Sequence, residues 1–228
     1  MRGGNDFIYL GCLVICVNSL PLFPESDTPF EVAPLFYESI AWKAGYSLVC
    51  GVDEAGRGPL AGPVVAAAVI MPEGITVKGV RDSKTMTERA RERVFHLINE
   101  KAIAVSVGVV SHKIIDEQNI LKASLEAMKQ AVLSLEPAPL FCLVDGIYPV
   151  PLSIAQKCLI KGDRISHSIS AASIVAKVYR DRLMVVYAGQ FPVYGFSENK
   201  GYGTAKHLEA IRKYGASPIH RRTFRGVC

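Results

Sequence analysis

The sequence predicts an α/β protein, with a mixed β-sheet flanked by helices and a helical C-terminal segment. Two strand-like apolar runs come first, at 47–53 and 64–70. From there on, strand-like and helix-like segments alternate, as they do in layered sheets. The last periodic stretch, 204–214, has helical spacing and a basic face.

The elements follow in order. Ser47–Asp53 is a short apolar run closing on the acids Asp53 and Glu54, and Val64–Ile70 is a β-branched run of strand length. Glu54–Gly62 between them is a loop rich in Gly and Pro. Thr85 with Glu88, or Thr87 alone, caps a charged helix reaching about Lys101. Ile103–Val110 reads as the third strand. Ser124–Leu135 is an amphipathic helix, started by a turn or helix around Ser111–Asn119. Leu140–Val144 is a buried fourth strand running into Asp145-Gly146, and Ala155–Ile160 is a weaker fifth. Ser166–Ala188 holds the longest helical pattern, and Thr204–Tyr214 is a final helix stopped by Gly215. No internal repeat or low-complexity segment occurs.

A chain of 228 residues buries one good core and has little room for two large domains. Half of its residues are hydrophobic, which argues against disorder. The formal charge is +5, and the excess is concentrated near the C-terminus. There Lys200, Lys206, Arg212, Lys213, Arg221, Arg222 and Arg225 outnumber Glu198 and Glu209. Such a run suits a polyanionic partner, and equally a solvated surface. None of the six cysteines forms a CxxC pair, and no Cys/His group has zinc-finger spacing. Cys50, Cys142 and Cys158 lie in apolar strand-like runs and read as reduced core residues, which places the chain in the cytoplasm.

Arg2 followed by Phe7–Val17 looks like the charged and apolar parts of a secretory signal, but no small-x-small cleavage site follows. The run is also too short to span a bilayer, and no membrane association is expected. Residues 1–46 are expected to be a poorly ordered extension, and 47–228 a single domain ending in the basic helical segment.

Candidate chemistry lies at three places. Adjacent strand residues point to opposite faces, so Asp53 and Glu54 serve one site only where the chain turns. Two acids leaving a buried strand repel each other unless something positive stands between them, and a divalent cation is the simplest candidate. Alone, the pair reads equally as an exposed acidic turn. Gly56, Gly58 and Gly62 miss the dinucleotide-binding spacing by one residue, and Pro59 interrupts any helix start. Asp145 closes an apolar strand, where a carboxylate is solvated, paired or metal-bound. Asp181 shares a helical face with Ser170, Ile174 and Lys177, and could be half of an ordinary ion pair with Lys177. Together, these four carboxylates from three segments are what two divalent ions need to clamp the attacking and leaving oxygens of a phosphodiester. Oxygen ligands of this kind suit Mg2+.

The run Gly51-Val52-Asp53-Glu54-Ala55-Gly56-Arg57-Gly58-Pro59-Leu60-Ala61-Gly62-Pro63-Val64 resembles the signature of ribonuclease HII. The likeness continues through Asp82-Ser83-Lys84, Val144-Asp145-Gly146 and Lys161-Gly162-Asp163. It resumes over Ala171–Arg182, at Lys200-Gly201-Tyr202-Gly203-Thr204 and at His220-Arg221. The blocks keep the family's order from about Val49 to Phe224; Thr223 stands where the family usually has serine, which keeps the hydroxyl.

The resemblance implies a ribonuclease H-like fold, with Asp53, Glu54, Asp145 and Asp181 as catalytic, metal-binding carboxylates for two Mg2+ or Mn2+ ions. It implies hydrolysis of the RNA strand of RNA/DNA hybrids. It also implies cutting on the 5′ side of ribonucleotides embedded in duplex DNA, with 5′-phosphate and 3′-hydroxyl products. Gly56, Arg57, Gly58 and Tyr202 are expected at the junction of ribose and deoxyribose. Glycine backbone can approach a sugar closely enough to bond its 2′-hydroxyl. Lys84 and Lys177 are expected to meet phosphates or the site's carboxylates, and Ser83 the backbone of the same strand. His207 reads as a surface residue or a phosphate contact, and His220 with Arg221 as an anchor for the C-terminal segment or a duplex contact. The chain is expected to be a monomer.

Two rivals come from other classes. A non-catalytic nucleic-acid-binding domain would have no need of four acids beside a polyanion, and metal-dependent cutting separates it. A nucleotide-binding protein built on the Gly56–Gly62 loop is separated by nucleotide binding.

Overall fold

A computed structural model of the chain describes residues 33–80 and 86–227. The described residues form a five-stranded mixed sheet in the order β3-β2-β1-β4-β5. Strands β1 (Val49–Ala55), β2 (Val64–Ile70) and β3 (Ala104–Val110) pair antiparallel. Strands β4 (Phe141–Asp145) and β5 (Ala155–Leu159) add in parallel on the other side of β1. The helices are α1 (Phe36–Lys43), α2 (Glu88–Lys101), α3 (His112–Gln118), α4 (Ile120–Leu133), α5 (Gly162–Ile165), α6 (His167–Gln190), α7 (Phe196–Asn199) and α8 (Ala205–Tyr214).

β2 is buried throughout because both of its faces are covered. Val64, Ala66, Ala68 and Ile70 join Ala123, Ala127 and Ala131 of α4 in one core. The alternate residues Ala67 and Val69 join Ala171, Ile174 and Val175 of α6 in another. The small alanines let both helices lie close to the sheet. β1 meets α6 still more closely, since a Cβ on Gly51 would collide with the Ser168 backbone. That approach brings α6 against the strand that carries Asp53.

Local signals set several boundaries. Thr87 caps α2 by accepting from Ala90 N–H, Ser166 caps α6 through Ile169 N–H, and Thr204 caps α8 through His207 N–H. α4 begins four residues before the expected Ser124, because the Asn119 side chain accepts from the Leu121 and Lys122 N–H groups. α6 continues past Ala188 to Gln190.

The folded chain also begins before Ser47. Tyr37 and Ala41 of α1 pack with Val49, Phe141, Leu143 and Ile169. Glu38 Oε1 accepts from Ser166 Oγ at 2.7 Å and from Ser168 N–H at 2.8 Å, which ties α1 to the start of α6. The expected extension is therefore part of the domain from α1 onward; the apolar run Phe7–Val17 lies outside the described residues. No helix among the described residues is long and apolar enough to cross a membrane. Cys50 and Cys142 are buried free thiols with their sulfurs 3.3 Å apart.

Glu38 is fully buried, and its Oε2 has no hydrogen-bond partner among the described residues. Burial pushes its carboxyl above the ordinary range, although the Ser168 and Ser166 bonds pull the other way. A raised folded-state pKa gives stability that is complete below the unfolded value and is lost as pH rises through the folded one. Glu38→Gln removes this titration. Its melting temperature relative to wild type is expected to climb between pH 5 and pH 8, and an unchanged difference would refute the assignment.

Candidate active site

The C-terminal ends of β1 and β4 lie side by side, with Val52 paired to Val144. The next residues, Asp53 and Asp145, therefore emerge together at the end of the sheet. Asp53 faces α6, and Glu54 takes the opposite pleat, because β1 continues to Ala55 instead of turning at the acids. Both nevertheless line one cleft of about 380 Å³, with Asp145, Gly56, Arg57, Gly58, Ser173, Lys177 and Tyr202. A larger open groove lies between α2 and α6 beside Arg89, Arg93 and His96, but there Glu92 is already paired with Arg182.

The acids are held under electrostatic tension. Asp53 is buried, and its carboxyl is pushed well above the ordinary range by burial, then by the charges of Glu54 and Asp145. The Ser173 hydroxyl and the Glu54 N–H, the latter at 2.7 Å, bond the Asp53 carboxylate and oppose that rise. Glu54 is also raised, first by burial, with Arg57 opposing from 3.2 Å and Asp145 adding to the rise. Asp145 Oδ1 accepts from Gly162 N–H at 2.7 Å, so the turn into α5 fixes its orientation.

Asp181 stands apart from these three. It lies on α6 one turn beyond Lys177, whose ammonium is 2.7 Å from its Oδ1, while Arg91 is 3.5 Å from its Oδ2. The same ammonium sits 5.9 Å from the centre of the exposed Tyr202 ring. Lys177 thus connects the fourth acid to the cleft. Ser83 and Lys84 lie outside the described residues.

The donor set fits a hard divalent cation. Carboxylate oxygens are its preferred ligands, and a positive ion would offset the burial, and with it the mutual repulsion, that raise Asp53 and Glu54. Among the described residues no three acidic, His or Cys side chains converge tightly enough to cage an ion alone.

Several residues were missed from the sequence or misplaced by it. Ser173 reaches Asp53, and its spacing from Ser170 and Lys177 on one helical face was a usable signal. Arg91 is buried and bonds Met86 O as well as Asp181. His207 is neither a surface residue nor a phosphate contact; it is fully buried beside His220. Ser217 N–H donates to His220 Nδ1 at 2.8 Å, so His220 Nε2–H faces His207 Nε2 at 3.0 Å and His207 Nδ1–H donates to Tyr202 O at 2.8 Å. Burial pulls both imidazoles down, His220 to about 4, which keeps this chain neutral.

Arg221 is fully buried and binds main-chain carbonyls of the glycine loop, as does Arg180. Arg221 therefore anchors the C-terminal segment and leaves the set of exposed phosphate-facing cations. Burial lowers both guanidiniums, Arg180 to about 10 and Arg221 to about 9, so both stay charged at neutral pH.

The sequence profile of ribonuclease HII matches residues 50–227, which spans the sheet, the cleft and the C-terminal helices. The chain belongs to the ribonuclease HII family. It is 56% identical over 209 residues to ribonuclease HII of Geobacter sulfurreducens, covering 92% of this chain and 95% of that one. A match of that extent reaches well into residues 1–46. Ribonuclease H2 of Pyrococcus horikoshii OT3 superposes with a TM-score of 0.68 at 30% identity, over 79% of this chain and 95% of that one. The Bst ribonuclease HIII solved in complex with Mn2+ shares the fold, with a TM-score of 0.61 at 19% identity over 82% of this chain and 70% of that one. Family membership makes the chain a metal-dependent endoribonuclease, a hydrolase acting on the RNA of RNA/DNA hybrids.

Proposed function

We propose that this ribonuclease HII chain also cuts duplex DNA on the 5′ side of a single embedded ribonucleotide, using Asp53, Glu54, Asp145 and Asp181. The observation that carries the reading is the meeting of three repelling carboxylates with the Gly56–Gly58 loop and Tyr202 in one cleft. Acid chemistry and a sugar-reading surface then lie within reach of one nucleotide.

Asp53, Glu54, Asp145 and Asp181 would hold two Mg2+ or Mn2+ ions; the Bst ribonuclease HIII, of the same fold, was solved in complex with Mn2+. When bound, the ions supply an activated water and the positive charge that stabilises the leaving 3′-oxygen. The chain's own residues do the rest. Gly162 N–H and Ser173 orient Asp145 and Asp53. The main chain at Gly56–Gly58 bonds the 2′-hydroxyl, and the exposed Tyr202 ring stacks on the adjacent sugar. Lys177 turns from Asp181 to a strand phosphate, and Arg57 meets phosphate at the rim. Ser83 and Lys84 contribute strand contacts from the segment before α2. The 2′-hydroxyl is read but does not attack, so the products carry a 5′-phosphate and a 3′-hydroxyl.

The exposed cations Lys206, Arg212, Lys213, Arg222 and Arg225 track the phosphates outside the cleft. The chain acts as a monomer, and the buried free thiols of Cys50 and Cys142 suit the reducing cytoplasm.

Metal titration tests the reading. Mg2+ or Mn2+ is expected to raise the melting temperature and to switch on cutting of a single-ribonucleotide duplex, and EDTA to reverse both. Cutting that persists in EDTA, or metal that activates without binding at the acids, would overturn the assignment. The second is detected as an Asp53→Asn variant that keeps the full thermal shift.

A further inference from the structure

Arg180 and Arg221 are both at most 1% exposed, and they lie beneath the loop that joins β1 to β2. Their hydrogen-bond acceptors among the described residues are all main-chain carbonyls. Arg221 donates to Gly56 O at 2.6 Å, Arg57 O at 3.0 Å, Gly62 O at 3.0 Å and Pro63 O at 3.1 Å. Arg180 donates to Pro63 O at 3.1 Å, Ala61 O at 3.1 Å and Lys200 O at 2.9 Å. Both share Pro63 O, and Arg180 also reaches the segment leading into Tyr202.

The consequence follows from peptide geometry. In a trans peptide the C=O of one residue and the N–H of the next point in opposite directions. With Gly56 O and Arg57 O drawn inward, the N–H groups of Arg57 and Gly58 are turned outward. Both residues line the cleft, and neither N–H donates to another main-chain group among the described residues. Neither guanidinium hydrogen-bonds a carboxylate among the described residues; Asp116 and Asp181 act on Arg221 and Arg180 only through their charge. Buried charges held in this way are costly to keep, and a fixed fork of five donors is what distinguishes guanidinium from ammonium.

We propose that Arg180 and Arg221 are positioning residues for ribose recognition, holding the loop carbonyls inward so that the Arg57 and Gly58 N–H groups face the substrate sugar. The inference rests on the reading of the loop given under Proposed function. The arginines act through the loop and need not touch substrate.

Arg221→Lys and Arg180→Lys keep the charge and remove the fork, and Arg180→Lys disturbs fewer carbonyls if the first variant unfolds. Binding is measured by fluorescence anisotropy in EDTA, where metal-dependent cutting is off. The probes are a DNA duplex with one ribonucleotide and the same duplex without it. Wild type is expected to prefer the ribose-containing duplex about tenfold, the worth of one or two hydrogen bonds. In folded variants, with folding checked by thermal melting, that preference is expected to fall to about twofold or less, with affinity for plain duplex unchanged. A folded variant that keeps the wild-type preference would overturn the proposal. Equal loss of affinity for both duplexes would overturn it too, because it marks a merely structural role. A wild type without ribose preference would instead overturn the reading of the loop itself.

Discussion

Asp145→Asn is expected to fold normally and to lose metal-dependent cutting by about a thousandfold, the scale of several kcal/mol of metal-assisted stabilisation. Asparagine keeps the shape and an oxygen that can accept from Gly162 N–H, so the turn into α5 survives. What disappears is one of three negative charges in a cleft where Asp53 and Glu54 are already raised by burial and by Asp145 itself. The metal-free variant should therefore melt no lower than wild type, because a repulsion has been removed. In Mn2+ the order should reverse, since a weaker donor set binds the ion less tightly and gains less stability from it. Activity and melting curves with and without metal test both halves. A variant that is inactive only because it melts below wild type without metal would contradict the account.

The two glycines of the loop should respond in opposite ways. Gly56 adopts φ +98°, a region that L residues rarely enter, and a Cβ there would collide with Arg180 Nε. That guanidinium cannot step aside, because three carbonyls fix it. Gly56→Ala should cost about 2–4 kcal/mol of stability, from backbone strain together with overpacking. Against a total of about 5–15 kcal/mol for a typical domain, that is a large loss. At Gly58 a Cβ would meet only Tyr202 Cε1 at 3.7 Å, an ordinary contact. Gly58→Ala should leave stability within about 0.5 kcal/mol and place a methyl in the cleft, where a sugar must approach. Its loss should show as weaker binding of ribose-containing duplex. Equal destabilisation by both substitutions, read from chemical denaturation, would sink this division of labour.

Much of this architecture was legible in the chain. β2 shows itself as an unbroken apolar run because both faces are covered, and α8 carries its own cap in Thr204 and its own stop in Gly215. Asp53, Glu54 and Asp145 were legible as acids at the ends of apolar strands, and the register of β1 with β4 brings them together. α1 was not legible. It has eight residues and no side-chain cap, and its support comes from residues such as Phe141 and Ser168, far away in sequence. The burial of Arg180 and His207 was equally hidden, and for His220 and Arg221 an anchoring role and a duplex contact read alike. Their partners are carbonyls of a loop over a hundred residues earlier or a ring across a turn, and no local spacing announces either. The separate placement of Asp181 depends on Arg91 and Lys177 together, and only Lys177 lies at helical spacing from it.

If this cleft reads a ribose and cuts on its 5′ side with metal, the position and chemistry of the cut must show it. The most direct measurement uses a DNA duplex with one ribonucleotide, labelled at the 5′ end of that strand, with product ends mapped after incubation in Mg2+. The account predicts a single cut immediately 5′ of the ribonucleotide, leaving a DNA fragment with a 3′-hydroxyl and a downstream strand with a 5′-phosphate. A cut 3′ of the ribonucleotide ending in a cyclic phosphate, or no cut by folded protein that still cleaves a long RNA/DNA hybrid, would contradict it.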